Sequence, residues 1–125
     1  MPTNPKKELN NCKRSHCPIA CALDIIGDKW SLLVIRDLLF MKKKRFNDFL
    51  TSPEKISTNV LTQRLILLEE KNIIKKKAYQ ENPVRYEYFL TKRGQDLKPT
   101  MIEVIKWGNA HIEGTIKPPK EILDN

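Results

Sequence analysis

The sequence lacks the features of a membrane protein, a secreted protein or a disulfide-stabilised protein. No apolar run approaches the length of a membrane span, and residues 1–18 lack the apolar stretch of a signal peptide. The three cysteines are an odd number, which is poorly suited to a disulfide framework. We therefore expect a cytoplasmic protein with no membrane partner, whose cysteines are thiols.

Catalytic and metal-binding motifs are also missing. There is no Gly-rich phosphate loop, no G-x-S-x-G, no H-E-x-x-H and no pair of carboxylates in a cleft pattern. One cluster has residues that can bind zinc, but structural zinc sites usually show two separated ligand pairs, and no second pair is present. Its members are Cys12, His16, Cys17 and Cys21. We predict no enzyme activity, no metal and no cofactor.

Positive charge is what the chain has in excess. The formal net charge is +8 and the isoelectric point is about 9.5, which favours an anionic partner, either nucleic acid or an acidic membrane surface. Residues 42–93 hold thirteen basic and six acidic side chains, so they carry +7 of the total. The length of 125 residues fits one domain with its own core.

Hydrophobic spacing predicts the order helix, helix, short helix, helix, hairpin, helix, which is an α+β fold. Residues 1–15 are expected to form a flexible arm, residues 16–114 the folded domain and residues 115–125 a frayed tail. The first helix should run from Pro18 to a stop at Gly27. The second should begin after an Asp28 N-cap and use one apolar face, and the short helix should follow a basic loop. The apolar face of the second helix should consist of Trp30, Leu33, Val34 and Leu38. The short helix is predicted from the helical spacing of Phe46, Phe49 and Leu50.

The next helix lies within "EKISTNVLTQRLILLEEKNIIKK", which begins at Glu54. Ser57 is a good N-cap, Ile56 and Leu61 are spaced as a hydrophobic staple, and Asn72 suits a left-handed residue at the end. Leucines at positions 61, 65 and 68 share one face. The opposite face is unusual because it carries short uncharged groups rich in hydrogen-bonding atoms: Thr58, Asn59, Thr62 and Gln63.

The period of the apolar residues then changes from 3.6 residues, as in a helix, to 2 residues, as in a strand. "IIKKKAYQ" and "VRYEYFLT" flank "ENP" and predict a β-hairpin. A last helix over residues 92–114 should have a stripe of Leu97, Met101, Val104 and Ile105, with Pro99 in its first turns or bending it. Ile102 and Trp107 lie off that stripe, so we expect them at a dimer interface.

A short helix, a tight polar turn, a longer helix and a hairpin form a winged helix-turn-helix. The N-terminal residues of such a recognition helix lie nearest the base edges of the major groove, where Asn and Gln pair with adenine and a Thr methyl contacts thymine. We therefore predict double-stranded DNA as the partner and bases as the targets of Thr58, Asn59, Thr62 and Gln63. Phosphate or wing contacts are expected from Lys44, Arg45, Arg64, Lys75, Lys76, Lys77 and Arg85.

Several of these residues have an alternative interpretation. The basic loop could be a solvated charge run, Arg64 could instead pair with an acidic neighbour, and Arg85 could be an exposed strand residue. Trp30 and Trp107 are expected in a core or an interface. Rival functions are an enzyme, a winged helix for protein contact, or a general nucleic-acid binder. General binders rely on Lys, Arg and stacking aromatics rather than on amides and hydroxyls.

The order and the residues together resemble the HxlR-type winged helix-turn-helix regulators, a MarR-like group of bacterial transcription factors. The resemblance runs from Cys17 to about Glu113 through "CPI", "IGDKWSLLVIRDLL", "RFNDFL", "ISTNVLTQRLILLEEKNII", "NPVRYEYFLTKRGQDL" and "VIKWG". It implies a sequence-specific regulator, a homodimer formed by N- and C-terminal helices and a palindromic operator. The loop "FMKKKRF" and Asn72 stand where the family usually has Gly, and Ile66 and Leu67 stand at commonly charged positions.

Cys17 is the candidate for an effector response. It lies at a helix start near Lys13 and Arg14, an environment that favours a reactive thiolate. Some relatives in the family sense oxidants or electrophiles through the matching cysteine. Cys12 and Cys21 are candidate resolving partners. The alternative is that Cys17 is a small buried residue at the dimer seam.

Overall fold

The computed structural model describes residues 15–123 and has the predicted α+β architecture. Within that range there are seven helices and one antiparallel pair of strands. In chain order they are α1 Pro18–Ile26, α2 Lys29–Phe40, α3 Phe46–Phe49, α4 Thr58–Glu70, β1 Ile74–Glu81, β2 Val84–Leu90, α5 Lys92–Gln95, α6 Lys98–His111 and α7 Lys120–Leu123. Helices α3 and α4 form the helix-turn-helix, and the hairpin forms the wing.

The junction between α1 and α2 follows the residues that predicted it. Pro18 lies in the first turn of α1, where the missing N–H costs nothing. Asp28 caps α2, because its Oδ2 accepts a hydrogen bond from the Ser31 backbone N–H at 3.1 Å. The two helices are therefore separated by two residues, Gly27 and Asp28.

The predicted apolar face of α2 is confirmed in part, because Val34 belongs to the core and Trp30 and Leu38 pack against it. Of the predicted set, Val34 is fully buried, whereas Trp30, Leu33 and Leu38 are partly exposed. The other buried residues of α2 are Ser31, Ile35 and Asp37. Hydrophobic spacing could not indicate this face, because two of its four buried residues are polar.

Helix α4 begins and ends as predicted. The Ser57 hydroxyl accepts from the Val60 backbone N–H at 3.1 Å, and both staple residues, Ile56 and Leu61, are buried. Asn72 has φ 59°, the left-handed conformation expected after the helix end.

The core lies where α2, α3, α4 and the base of the wing meet. It consists of one connected cluster whose centre is formed by the leucine face of α4. Its fully buried large residues are Ile35, Phe49, Leu61, Leu68 and Ile74. Burying one face of α4 leaves the opposite face of that helix outward.

The wing is an antiparallel hairpin in which Ile74 pairs with Leu90 and Glu81 with Val84. A bulge interrupts the register between Ala78 and Gln80. Arg45 adds an isolated bridge to Glu87, and Tyr88 donates its backbone N–H to the Lys44 carbonyl at 2.7 Å. The basic loop before α3 is therefore attached to β2.

The predicted last helix is two helices rather than one. Helix α5 is capped by the Thr91 hydroxyl, and α6 begins at Lys98. The break has a physical cause. Pro99 has no N–H to donate to the Gln95 carbonyl four residues earlier, so the first helix ends at Gln95. Pro99 itself lies in the first turn of α6, which is one of the two positions expected for it.

Two further expectations at the C-terminal end are corrected by the structure. Ile102 is only 4% exposed and is therefore buried within this chain, whereas Val104, predicted to be part of the buried stripe, is 56% exposed. The predicted stripe is confirmed at Met101, which belongs to the core, and at Leu97, which packs against the core, and it is wrong at Val104. The expected frayed tail also contains one helical turn, Lys120–Leu123.

Candidate DNA-binding surface

The outward face of α4 carries the four predicted base-contacting residues. Thr58, Asn59, Thr62 and Gln63 are all exposed. The Thr62 hydroxyl donates to the Thr58 carbonyl at 2.8 Å, so its hydrogen is used within the helix. Within residues 15–123, the amides of Asn59 and Gln63 have no hydrogen-bond partner. The surface thus offers two uncommitted amides, a hydroxyl and threonine methyl groups.

Arg64 has its acidic neighbour in the structure. Its Nε donates to Asp28 Oδ2, and its Nη2 lies 3.5 Å from Oδ1. The hydrogen bond from Arg64 holds the pKa of Asp28 below its ordinary value, against a smaller opposing effect of burial. One carboxylate therefore caps α2 and holds α4, which makes Arg64 a positioning residue for the recognition helix in this structure.

A second ion pair holds the loop before α4. Arg36 binds Glu54 through two hydrogen bonds, of 2.8 Å from Nη1 and 2.9 Å from Nη2. This bidentate ion pair lowers the pKa of Glu54 and raises the pKa of Arg36, in each case chiefly through the hydrogen bonds between the two side chains. The approach of the chain to Ser57 is thereby fixed to α2.

Asp37 organises the turn between α2 and α3. Its carboxylate is buried and accepts from the Ser52 hydroxyl at 2.8 Å and from Arg36 Nε at 3.0 Å. Lys43 Nζ donates to the same Ser52 oxygen at 2.8 Å and lies 3.9 Å from Asp37. A buried carboxylate requires partners of this kind, and here they tie the basic loop to the segment before α4.

Several wing cations are held by neighbours rather than left free. Arg45 lies 3.9 Å over the Tyr79 ring and 3.3 Å from Glu87, and Lys44 is 4.0 Å from Glu87. Lys76 lies 3.6 Å from Glu69 and 4.6 Å over the Tyr86 ring. These contacts order the side chains while leaving half of the Lys44 and Arg45 side chains exposed.

The remaining predicted cations are less constrained. Lys75, Lys77 and Arg85 are exposed, and no carboxylate within the described range forms an ion pair with them, although Glu87 is the cross-strand neighbour of Lys77. They lie on the two strands of the wing, and Arg85 follows its tip directly. These are the predicted phosphate contacts that remain available.

Sequence reasoning missed the positioning residues. Asp28 was predicted as a cap without its bond to Arg64, and Asp37 and Glu54 were not singled out. Their partners lie between 1 and 36 positions away along the chain. An acidic residue inside the apolar face of α2 is a signal in the sequence for Asp37, but nothing in the sequence indicates its partners.

The cysteines differ from one another in the structure. Cys17 is an exposed free thiol at the N-cap of α1, where its side chain caps no backbone N–H. Cys21 is disulfide-bonded, so the expectation that the cysteines are thiols is wrong for this residue. Cys12 lies outside the described residues. Exposure of Cys17 in the single chain is consistent with a reactive group or with a seam position that a second chain covers.

Apolar side chains are exposed on α1 and α6. Trp107, which is predicted to lie at a dimer interface, is 62% exposed in the single chain, and its ring centre lies 4.8 Å from that of His111. Ile102 cannot serve as the exposed interface residue that was predicted, since the chain itself already buries it. The apolar residues of these two helices that are more than half exposed are instead Ile19, Leu23, Val104 and Trp107.

None of the helices in the described part of the chain is both long enough and apolar enough to cross a membrane.

Residues 25–115 match the model of the HxlR-like helix-turn-helix family. The chain belongs to this family. A transcriptional regulator of Synechocystis, the HTH-type protein sll1512, is 40% identical over 97 residues, which cover 78% of this chain and 71% of that protein. The HTH-type regulator YdeP of Bacillus subtilis is 37% identical over 95 residues, covering 76% and 73% respectively. The protein is accordingly a helix-turn-helix transcriptional regulator and not an enzyme.

Solved structures give the same fold. The redox regulator HypR in its oxidized form is 33% identical with a TM-score of 0.69, and the match covers 78% of this chain and 99% of that chain. The reduced form of the regulator YodB from B. subtilis is 29% identical with a TM-score of 0.63, covering 82% and 100%. These matches are to winged helix-turn-helix regulators, which agrees with the wing and α4 described above.

The two ion pairs predict how folding stability depends on pH. Asp28 and Glu54 have folded pKa values below their ordinary 3.8 and 4.5. Their contribution to the free energy of unfolding is therefore present above those ordinary values and is lost as pH falls through the folded values. Urea unfolding between about pH 5 and pH 2 should show a free energy of unfolding that falls less steeply with decreasing pH in Asp28→Asn, which keeps a capping side chain.

The matched control is the same change in an Arg64→Gln background. There Asp28→Asn should alter the slope much less, because the hydrogen bond that lowers the pKa is already absent. If Asp28→Asn changed the pH dependence of stability equally in both backgrounds, Arg64 would not be the cause of the lowered pKa of Asp28.

Proposed function

We propose that the protein acts as a homodimer that binds a palindromic DNA operator, with one α4 helix in each of two successive major grooves. The observation that carries this proposal is the division of α4 into a buried leucine face and an exposed face of amides and threonines. A helix that needed only solubility would place Lys and Glu outward. Amides and threonine methyls are instead the groups that read adenine and thymine.

Charge supports the same partner. The +7 of residues 42–93 surrounds the helix-turn-helix and the wing, and phosphate contacts supply most of the salt-dependent affinity for DNA. Lys75, Lys77 and Arg85 are exposed without a carboxylate partner among the described residues, so phosphate can bind them without first breaking an ion pair. Lys44, Arg45 and Lys76 would contact phosphate while retaining their ring or carboxylate contacts.

Within α4 the structure favours different roles for neighbouring residues. Asn59 and Gln63 have uncommitted amides, so they are proposed for adenine edges, with Thr58 and Thr62 contributing methyl contacts or hydrogen bonds. Arg64 is already bonded to Asp28. We therefore propose that it contributes to DNA binding mainly by holding the angle of α4.

Dimerisation is supported by the apolar surface of α1 and α6. Ile19, Leu23, Val104 and Trp107 are more than half exposed in the single chain. Exposed apolar side chains on two helices are typical of an interaction site, and a second copy of the chain would bury them in a two-fold contact.

Regulation of DNA binding through Cys17 is proposed on two grounds. The thiol is free and exposed at the N-terminus of α1, which carries part of the apolar surface. Its structural neighbour HypR is a redox regulator. Oxidation or alkylation would add bulk or a cross-link beside the dimer seam, and it changes DNA affinity if the two resulting dimer geometries bind DNA differently.

The readout experiment compares Asn59→Ala with Lys77→Gln on operator and scrambled duplex. Loss of a base contact should cost about 1–3 kcal/mol on the operator and relax preference at one position. Loss of a phosphate contact should weaken both duplexes alike and reduce the salt slope by about one. Binding is measured by fluorescence anisotropy over a series of salt concentrations.

Lys117→Gln is the matched control, since it removes an exposed lysine outside the helix-turn-helix and wing. It should leave affinity and salt slope unchanged. Unaltered discrimination by Asn59→Ala would overturn the base-contact assignment.

The assembly experiment is sedimentation velocity at micromolar concentration. The natural chain should sediment at about twice its 14.6 kDa mass. Trp107→Glu should shift it to the monomer mass because a charge would be buried at the seam. Ile66→Glu changes a comparably exposed apolar residue on α4 and should remain a dimer. A monomeric natural chain would contradict both the dimer and the palindrome.

The experiment on regulation by Cys17 measures operator binding before and after mild diamide treatment. Treatment should change the affinity of the natural protein by at least about fivefold, and Cys17→Ser should respond much less. An equal response of Cys17→Ser would assign the effect to another residue.

A further inference from the structure

A cleft lies between the C-terminal end of α2, the basic loop, β2 and the start of α6, and it shares only Lys44 with the proposed DNA-binding residues. Its volume is about 720 Å³, within the usual range for a small-molecule site. Its apolar wall is formed by Leu38, Leu39, Phe89 and Leu90, all partly exposed. A purely phosphate-binding surface would have no use for such a wall.

The charged lining of the cleft is strongly one-sided. Five lysines face a single acidic residue, Asp96, and Asp96 is already paired with Lys92 at 2.6 Å. Lys43 is directed to Ser52 and Asp37, and Lys44 lies 4.0 Å from Glu87. The other two lysines, Lys42 and Lys98, have no carboxylate partner in the described part of the chain.

The surroundings of Lys98 increase the positive potential. Lys98 is partly buried and is the first residue of α6, a helix of 14 residues. The N-cap residue, Leu97, provides no side-chain hydrogen bond to the helix N-terminus. The partial positive charge of that terminus therefore adds to the ammonium group, and both favour an anion at this edge of the cleft.

Lys42 is held in a conformation that a lysine rarely adopts. Its φ is 54°, in the left-handed region where glycine is favoured. A lysine at this position places a cation at the cleft at the expense of backbone strain. Strained residues of this kind concentrate at ligand-binding sites.

We propose that this cleft binds a small organic anion in which a carboxylate is attached to a flat apolar ring. The carboxylate would lie between Lys42 and Lys98, and the ring would pack on Leu38, Leu39 and Phe89. The cleft joins the loop before α3 to the start of α6, so its occupant would touch both the helix-turn-helix and the helix that carries Trp107. The binding site itself does not depend on the proposed DNA readout.

The test is a titration of the full-length protein with 2-naphthoate and with 2-naphthamide, a neutral molecule of the same shape. Binding is followed by calorimetry and by amide shifts in two-dimensional NMR. Naphthoate should bind at least about tenfold more tightly than the amide, because charge-assisted hydrogen bonds are lost with the carboxylate. The shifted amides should cluster in residues 38–44, 88–90 and 95–98.

Two variants remove a cation from the cleft. Lys98→Gln should weaken naphthoate binding by at least about fivefold. Lys42→Gly should do the same while keeping or raising folding stability, since glycine relieves the positive φ. The matched control is Lys106→Gln, on the same helix but beside Glu103 and outside the cleft. It should leave binding unchanged.

Other outcomes would overturn the proposal. Equal affinity for naphthoate and naphthamide, or shifts confined to the rest of the chain, would show that the cleft does not select an anion. Absence of naphthoate binding together with a salt slope for DNA reduced by about one in Lys98→Gln would assign the cleft to DNA phosphate instead.

Discussion

Burial of the leucine face of α4 is the constraint on which the rest of the structure depends. Truncating a buried leucine to alanine typically costs about 2–5 kcal/mol, whereas a partly exposed ion pair contributes at most about 1 kcal/mol. Leu61, Leu65 and Leu68 therefore hold the helix in place, and the Arg64–Asp28 pair fixes its angle. Because one face is committed to the core, Asn59 and Gln63 must point away from it.

The charged residues divide into those that position the motif and those that remain available to a ligand. Asp37 is buried and fully partnered, and it fixes the turn that leads to α3. Glu54 and Asp28 are partly exposed. Glu54 holds the segment before α4 to α2, and Asp28 at the start of α2 holds the middle of α4. Because these carboxylates are paired with Arg36 and Arg64, they do not neutralise the cations of the wing and of the cleft, which carry most of the excess positive charge. The fold therefore presents positive potential without loosening the recognition helix.

Local signals predicted α4 and the wing well. The Ser57 cap, the staple and Asn72 are set by neighbours a few positions away, so the sequence shows them directly. The buried sides of α2 and α6 also depend on tertiary packing, and there spacing failed at single positions: Asp37 is buried beside Ser52, 15 positions away, and Ile102 faces the core whereas Val104 does not. The exposed face of α4 was predicted because it is the complement of a clear leucine stripe. An acidic partner for Arg64 was one of two alternatives, but Asp28 could not be identified as that partner because it is 36 positions away.

The central claim is that the outward face of α4 reads bases in two symmetry-related half-sites. The most direct measurement is selection of duplexes from a random pool by the natural protein, followed by sequencing. The account predicts an inverted repeat whose half-sites lie one helical turn, about 10 base pairs, or a multiple of it apart. The same selection with Asn59→Ala should lose preference at one position of each half-site. Enrichment of duplexes with no shared sequence, or of a single asymmetric site, would contradict it.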